Sequence, residues 1–528
     1  MLAADRGVEA VDFVLELLEQ LRKDNNHQAM RIAELLRSRF GRSSEKVTRA
    51  QLDLFLLAAR ATAAAQDPAE STDAAGAAPP TPLTELPKPE LTARQPRKRT
   101  GRNPLPADLP IRHVQRDPAP ELLVCGVCGK GKGCIGKESS KLLEWVPGHF
   151  EVHIEERGKF ACADGCEGVV IAAPGDKPID KGLPGPGLLA RVVVGKYQDH
   201  LPVHRQQRIF ERSGVSLAYS TMLGWIGAVV TALEPVYREL VREVMAAEVL
   251  GVDDTHIRVL DKRNPGVKRG HLWAYVGYHD GEPQRVVFDY TPDWKADGPL
   301  RFIGERRGFI QADGYKGLER LFEGPQPQAI KLGCPAHARR KFERAMKADD
   351  PRAAVAMELF RYVYDVEQLA KSRGGTPEIR QQMRREFSRP AMHRLGQWVA
   401  DTWPDVEPRT PLGQALTYAV NQWPSLERFL DDGRLPIDNN AVEREIRPIV
   451  VGRKNWMFAG SDDGGRRSAV VYSLIWSCVL AGVEPEAWLR DVLVKISGGW
   501  PQSRIGELLP TRSAAVGGQA EGDCVEAV

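Results

Sequence analysis

The chain has 528 residues, which at one domain per ~150 residues points to three or four domains. Hydrophobic residues make up 42% and charged residues 27%, ordinary for a globular protein; wholesale disorder, a collagen-like repeat and a small disulfide scaffold are excluded. A net charge of +3 is too slight to indicate a nucleic-acid partner, so that case rests on where the charges sit.

The opening MLAADRGVEAVDF carries acids early and lacks the apolar core of a signal peptide. The longest apolar run, Ser468 to Val483, contains polar residues and is too short to span a bilayer. Eight cysteines in so long a chain do not make a disulfide framework. A reducing, cytoplasmic compartment with no membrane partner is the expectation.

Residues 1–60 read as a helical segment. Val11, Val14, Leu18, Leu21, Asn25, Gln28, Ile32 and Leu35 alternate at spacings of three and four, the pattern of a short coiled coil with Asn25 setting register. The same spacing serves a single amphipathic helix packed on its own domain. Residues 61–120 turn to Ala, Pro, Thr and Gln without hydrophobic period and read as a linker. Its second half holds Arg94, Arg97, Lys98, Arg99 and Arg102, either a flexible arm that reaches DNA phosphates or solvated linker charge.

Residues 121–174 hold Cys125-Gly-Val-Cys128 and Cys162-Ala-Asp-Gly-Cys166. Two short Cys-to-Cys loops with Gly suit one tetrahedral structural Zn²⁺, which would supply much of the folding energy of so small a module, or else the four are unmetallated core cysteines. Cys134 is a bystander. Gly131 to Lys137 has phosphate-loop spacing, but Glu138 stands where a Ser or Thr hydroxyl should hold Mg²⁺, so an NTP site is rejected.

Residues 175–245 read as short helices. One around Val203–Arg212 ends at Gly214, and a second begins near Ser220, whose hydroxyl can cap Thr221–Ile226. Such a pair is a helix-turn-helix that would lead into a major groove with Tyr219, Ser220 and Thr221, or an ordinary helical hairpin. From Val249 the pattern changes. Ala247–Val252, His256–Leu260, Leu272–Tyr278 and Arg285–Tyr290 are β-rich, with Asn264-Pro265-Gly266 and Asp280-Gly281 as turns. A helix near Pro299–Arg307, a strand at Gly308–Ala312 and another at Ala329–Leu332 complete a mixed α/β sheet. His337 to about Leu430 is helical and Arg-rich, Asn440–Ser497 is helical, and Gly498 onward reads as a frayed tail.

The acids carry the chemistry. Asp253 ends the first strand, Asp313 ends a later one, and Glu443 opens a helix in Asn-Asn-Ala-Val-Glu443-Arg. A Mg²⁺ pair needs hard carboxylate oxygens at adjacent strand ends and a nearby helix. Strand aspartates also serve turns, and Glu443 stands at the capping-box position after Asn440. Asp253 and Asp254 point to opposite faces, so only one belongs to such a site.

DNNAVEREIRPIVVGRKNWMFAGSDDGGRRSAVVYSLIWSC strongly resembles the C-terminal motif of the insertion sequence 66 family of bacterial DDE transposases. GVDDTHIRVL, QADGYKGLERL and GCPAHARRKF resemble its other motifs, in order. KYQDHLPVHRQQRIFERSGVSLAYSTMLGWI and LRSRFGRSSEKV look like its central and N-terminal segments. The resemblance implies an RNase H-like core over about 246–480, interrupted by a helical insertion at about 338–430, with 481–528 as a helical segment and tail. It puts the catalytic carboxylates on Asp253, Asp313 and Glu443, holding two Mg²⁺ or Mn²⁺. It departs from the family's pattern at Asp254, where Glu is usual, and at Pro335, where an aromatic is common. Cys334 and His337 read as strand-end packing beside the site, His337 also as a phosphate contact.

The implied activity is hydrolysis at the ends of a mobile element and transfer of the freed 3′-OH into target duplex DNA. A homodimer or higher oligomer and accessory proteins of the same element are implied partners. Arg444, Arg447, Arg453 and Lys454 would neutralise strand phosphates, and Trp456 would stack on an unpaired base or pack in the helix core. A domesticated DNA-binding protein and a stand-alone nuclease of the same core are the rival readings.

Overall fold

A computed structural model describes residues 182–261 and 266–511, with short pieces at 148–150, 152, 159–160, 170–171 and 175–180. The N-terminal heptad segment, the linker with Arg97, Lys98 and Arg99, and Cys125, Cys128, Cys162 and Cys166 lie outside the described residues. The described residues from 159 onward belong to one compact unit. Strands β1 (Lys159–Phe160) and β2 (Val170–Ile171) pair antiparallel, and the sequence between them contains Cys162 and Cys166.

Three helices lead to the sheet: α1 (Pro186–Tyr197), α2 (Val203–Arg212) and α3 (Tyr219–Ala246). Gly214 closes α2 in a left-handed conformation, φ +82°, where Val215 N–H donates to the Phe210 carbonyl. The expected Ser220 cap is not formed. Helix α3 begins two residues earlier than that cap implies, at Tyr219, with Ala218 in the capping position and no side-chain cap. Its exposed first turn leaves the free N–H groups to water. It also runs 28 residues rather than one short recognition helix. Met222, Trp225, Ile226, Val229, Leu233, Val236, Leu240 and Val244 recur every three or four residues and give it a buried stripe along its whole length.

The core sheet has five strands: β3 (Val249–Leu260), β4 (Val267–His279), β5 (Glu282–Thr291), β6 (Gly308–Gln311) and β7 (Ala329–Leu332). Their spatial order is β5-β4-β3-β6-β7, with β3, β4 and β5 antiparallel and β6 and β7 parallel to β3. The two β-rich runs expected at Ala247–Val252 and His256–Leu260 are one continuous strand, because β4 pairs with β3 along its full length. Asp253 is therefore inside β3, opposite Ala274, and not at its end. A tight turn at Asp280 and Gly281, φ +49° and +75°, joins β4 to β5 as the Asp-Gly pair predicts.

Helix α4 (Asp297–Ile303) and a 3-10 turn at Lys316–Leu321 occupy the crossings to β6 and β7. The helical block follows as α5 (Pro335–Lys347), α6 (Ala353–Ser372), α7 (Pro377–Met383), α8 (Arg389–Thr402) and α9 (Pro411–Leu426). It has its own core around Val366, Leu369, Ala370 and Met383. Buried Arg384 ties it together, pairing with Glu367 at 2.7 Å and donating to the carbonyls of Phe429, Asp432 and Leu435. The chain then returns to the sheet as α10 (Asn440–Trp456), α11 (Asp462–Ala481) and α12 (Pro485–Ser497).

Strand β5 is a sheet edge, and α11 covers it. Val286 N–H donates to Ser477 Oγ at 3.3 Å and Phe288 N–H to Ser473 Oγ at 2.7 Å, so two serines one helical turn apart replace the missing neighbour strand. The expected fraying from Gly498 is corrected as far as Thr511. Trp488 Nε1–H donates to the Leu508 carbonyl at 3.0 Å, Arg285 Nη1 donates to the Pro510 carbonyl at 2.7 Å, and Leu508 and Leu509 are buried. Among the described residues no single helix is long and apolar enough to cross a membrane.

Candidate active site

The burial of β3 changes character where the acids stand. Residues Val249 to Val252 are all buried, whereas from Thr255 burial alternates with exposure. The reason is that β6 stops pairing at Gly251, opposite Gln311, while β3 continues with β4 and, on the β6 side, meets only Ala459 in a single bridge at Val259. Asp253 and Asp313 each lie two residues beyond that last pair, on neighbouring chain segments. Asp313 is held by the Tyr315 N–H, which donates to its Oδ1 at 3.1 Å. Tyr418 from α9 donates to its carbonyl at 3.1 Å.

Helix α10 comes in on the Asp253 face of β3. A Cβ at Gly251 would lie 2.5 Å from Val442 Cγ2 and 3.1 Å from Asn439 Oδ1, so the missing side chain permits the approach. Buried Asn439 locks the contact: its Nδ2 donates to the Val252 carbonyl at 3.0 Å, and its own N–H donates to Cys334 Sγ at 3.3 Å. Glu443 follows Val442 on the first turn of α10. It is not a capping-box residue; its amide donates to the Asn439 carbonyl, and its carboxylate meets Arg340 of α5. Arg340 Nη2 lies 2.6 Å from both Glu443 oxygens, and His337 Nε2 is 3.6 Å from Oε1.

Burial pushes the Asp253 carboxyl up to about 8, and the negative charge of Asp313 adds to it; Glu443 and Asp254 contribute in the same direction. The Asp254 N–H donating to Asp253 Oδ1 at 2.8 Å opposes the shift. Burial lowers the His337 pKa, helped by the Arg340 charge, which disfavours the imidazolium. A cluster of carboxylates that repel one another is relieved by a divalent cation, and hard carboxylate oxygens suit Mg²⁺ or Mn²⁺. The donor chemistry therefore fits such an ion. As the side chains stand, no three His, Cys, Asp or Glu among the described residues converge on one point. Glu443 is turned onto Arg340, which takes the place of a counter-ion.

Asp254 faces the other way and is fully engaged. His271 Nδ1 is 2.6 Å from its Oδ2, and Trp294 Nε1–H donates to its Oδ1 at 3.0 Å. Alternation along the strand sends the two acids to opposite faces, Asp254 to His271 and Trp294 and Asp253 to the face that α10 approaches.

The remaining expected residues divide. Arg444, Arg447 and Lys454 are exposed on α10 along one side of the helix. Arg453 is turned inward and donates to Thr255 Oγ1 at 2.9 Å and to the His256 carbonyl. Trp456 ends α10, about 20 Å along the axis from Glu443, and hydrogen-bonds with Tyr472. Ser220 and Thr221 are exposed at the start of α3. Sequence reasoning missed Arg340, His271, Trp294 and Asn439. Arg340 stood within GCPAHARRKF, but nothing in that string says which of its two adjacent arginines turns toward Glu443.

Comparison with known proteins agrees with this architecture. The description Transposase IS66 family matches residues 181–467, Transposase C of IS166 homeodomain matches 27–114, and IS66 C-terminal element matches 473–511. Three relatives come from Sinorhizobium fredii. The uncharacterized protein y4hP is 31% identical over 78% of this chain and 77% of its own. The uncharacterized protein y4qI is 35% identical over 72% of each, and the uncharacterized protein y4jD is 33% identical over 77% of this chain and 81% of its own. The chain therefore belongs to the Transposase IS66 family.

Proposed function

We propose that the chain is a metal-dependent DNA transposase in which Asp253, Asp313 and Glu443 hold two divalent ions, in an RNase H-like core. The observation that carries this reading is the meeting of three elements at one place. Asp253 and Asp313 lie side by side just beyond the last β3–β6 pair, and α10 brings Glu443 onto the Asp253 face. Burial pushes the Asp253 carboxyl up to about 8, and the share that the charges of Asp313 and Glu443 add to that shift supports it.

When bound, the ions would lower the pKa of the attacking water or 3′-OH and offset charge on the leaving oxygen. The chain's own residues do the rest. Asp254, tied to His271 and Trp294, fixes the backbone that presents Asp253. Arg340 holds Glu443 until DNA arrives, then turns to a strand phosphate. Exposed Arg444, Arg447 and Lys454 contact the backbone of the duplex, and the start of α3 and the basic arm at Arg97–Arg99 add further contacts. A zinc module at Cys125, Cys128, Cys162 and Cys166 rests on spacing alone. Hydrolysis frees a 3′-OH at the element's end, and the same site joins that oxygen to a target phosphate without a covalent enzyme intermediate. Two ends require two protomers, and small accessory proteins of the element complete the assembly.

The test is cleavage and strand transfer on a labelled duplex carrying the element's end, with Mg²⁺, comparing wild type with Asp313→Asn. Joined product from wild type, lost in the variant while DNA binding persists, is the expected result. Cleavage without joining would reduce the reading to a nuclease, and binding by both with no cleavage by either would replace it with a DNA-binding protein.

A further inference from the structure

Trp294 lies in the loop between β5 and α4, and 55% of its surface faces solvent. Single exposed hydrophobics are ordinary on protein surfaces and mean little. This one is different because it is fastened at both ends. Its indole N–H donates to Asp254 Oδ1 at 3.0 Å, and its carbonyl accepts from Tyr315 Oη at 2.9 Å. Its ring packs against two others: Tyr315 with centroids 5.0 Å apart and 34° between planes, and His271 at 5.9 Å and 17°. Tyr315 in turn rests on buried Trp273, 5.4 Å away, whose Nε1–H donates to Thr291 Oγ1 at the root of the same loop. The exposed ring is thus held in a fixed pose by groups that are themselves fixed.

The ledge is also bonded to the immediate neighbourhood of both strand carboxylates. Asp254 follows Asp253 and its N–H donates to Asp253 Oδ1 at 2.8 Å; Tyr315 donates its N–H to Asp313 Oδ1 at 3.1 Å. A flat, uncharged, π-rich surface beside a cluster of acids does not attract phosphate. It suits the face of a nucleobase. A paired base is already stacked on both sides, so only a base turned out of the helix offers a face to the ring.

We infer that Trp294, backed by Tyr315, is a stacking ledge for one unpaired nucleobase beside the phosphate that is cut. The inference rests on the carboxylate reading above and assigns that site a substrate form: a DNA end locally opened at the scissile step.

The experiment uses the full chain and forked duplexes of the element's end that carry 2-aminopurine at each position around the cut. Wild type and Asp313→Asn are expected to quench the probe at one position. Trp294→Leu, which keeps apolar bulk over Asp254 but has no ring, should lose that quenching and bind the fork about 5- to 150-fold more weakly, equivalent to the ~1–3 kcal/mol of one base on an aromatic side chain. Trp294→Phe should recover part of both, which a merely structural role of the side chain would not give. Wild-type quenching and affinity in Trp294→Leu would overturn the ledge while leaving the carboxylate reading intact. Full cleavage by Asp313→Asn would overturn the carboxylate reading itself, and the ledge with it.

Discussion

Arg340 Nη2 sits 2.6 Å from each carboxylate oxygen of Glu443, joining the first helix after β7 to the helix that returns the chain to the sheet. Both side chains are partly exposed, so the pair adds little to stability, about 1 kcal/mol or less. Its consequence is occupancy. Guanidinium is permanently charged and cannot vacate the carboxylate by losing a proton. An ion that needs Glu443 must displace it. Replacing Arg340 by Met, similar in length and uncharged, is expected to tighten Mn²⁺ binding several-fold in calorimetric titration without DNA. Weaker binding would mean that Arg340 positions Glu443 for the ion and does not compete with it.

The titration of the core has a definite sign. Burial raises the carboxyl of Asp253 to about 8, of Asp289 to about 6 and of Glu445 to about 7. At these three carboxyls the folded chain keeps protons that the unfolded chain releases above about pH 4, so their share of the stability of the metal-free protein falls as pH rises from about 4 to 8. His200, His256 and His337, which burial holds neutral, contribute in the opposite direction below about pH 6.5. Asp289 lies away from the carboxylate cluster on β5, so Asp289→Asn isolates one share. It should remove the part of the decline between about pH 4 and 6, at most about 3 kcal/mol. Denaturant midpoints at pH 4, 6 and 8 read this directly, and parallel curves for the two proteins would contradict it.

The serines of α11 are expected to matter more than their size suggests. Ser473→Ala leaves the buried Phe288 N–H without its acceptor, and Ser477→Ala does the same for Val286. Each should cost about 1–3 kcal/mol, the penalty of an unsatisfied buried amide. Ser497 is the control, since its hydroxyl only donates to the Leu493 carbonyl of its own helix. Equal unfolding midpoints for Ser473→Ala and Ser497→Ala would show that water reaches the β5 edge.

Local pattern explains which features could be foreseen. The Asp-Gly turn, the Gly214 stop and the strand at Ala329–Leu332 are set by residues within each segment, and they stand where pattern puts them. The length of β3 is not local, because its second half exists through pairing with β4. The same holds at the site. The acidic residues could be singled out and ordered by motif, but the partner of Glu443 comes from a helix far away in sequence. The role of Asp254 is fixed by His271 and Trp294, neither of which its own strand reveals. The ordered segment up to Thr511 likewise depends on Trp488 and Arg285.

Four basic residues of α10 that look equivalent in sequence should behave in two ways. Arg444, Arg447 and Lys454 are exposed on one side of the helix, whereas Arg453 is committed to Thr255 and the His256 carbonyl on β3. A residue that neutralises a DNA phosphate releases a condensed counter-ion, so its loss lowers the slope of log affinity against log salt by about 1. Alanine at 444, 447 or 454 should each reduce that slope and leave the unfolding midpoint nearly unchanged. Arg453→Ala should do the reverse, keeping the slope and lowering stability by about 1–2 kcal/mol as Thr255 loses its partner. Affinity measured at three or more salt concentrations, together with thermal unfolding of each variant, separates the two classes. A reduced slope for Arg453→Ala would mean that this side chain leaves β3 when DNA binds.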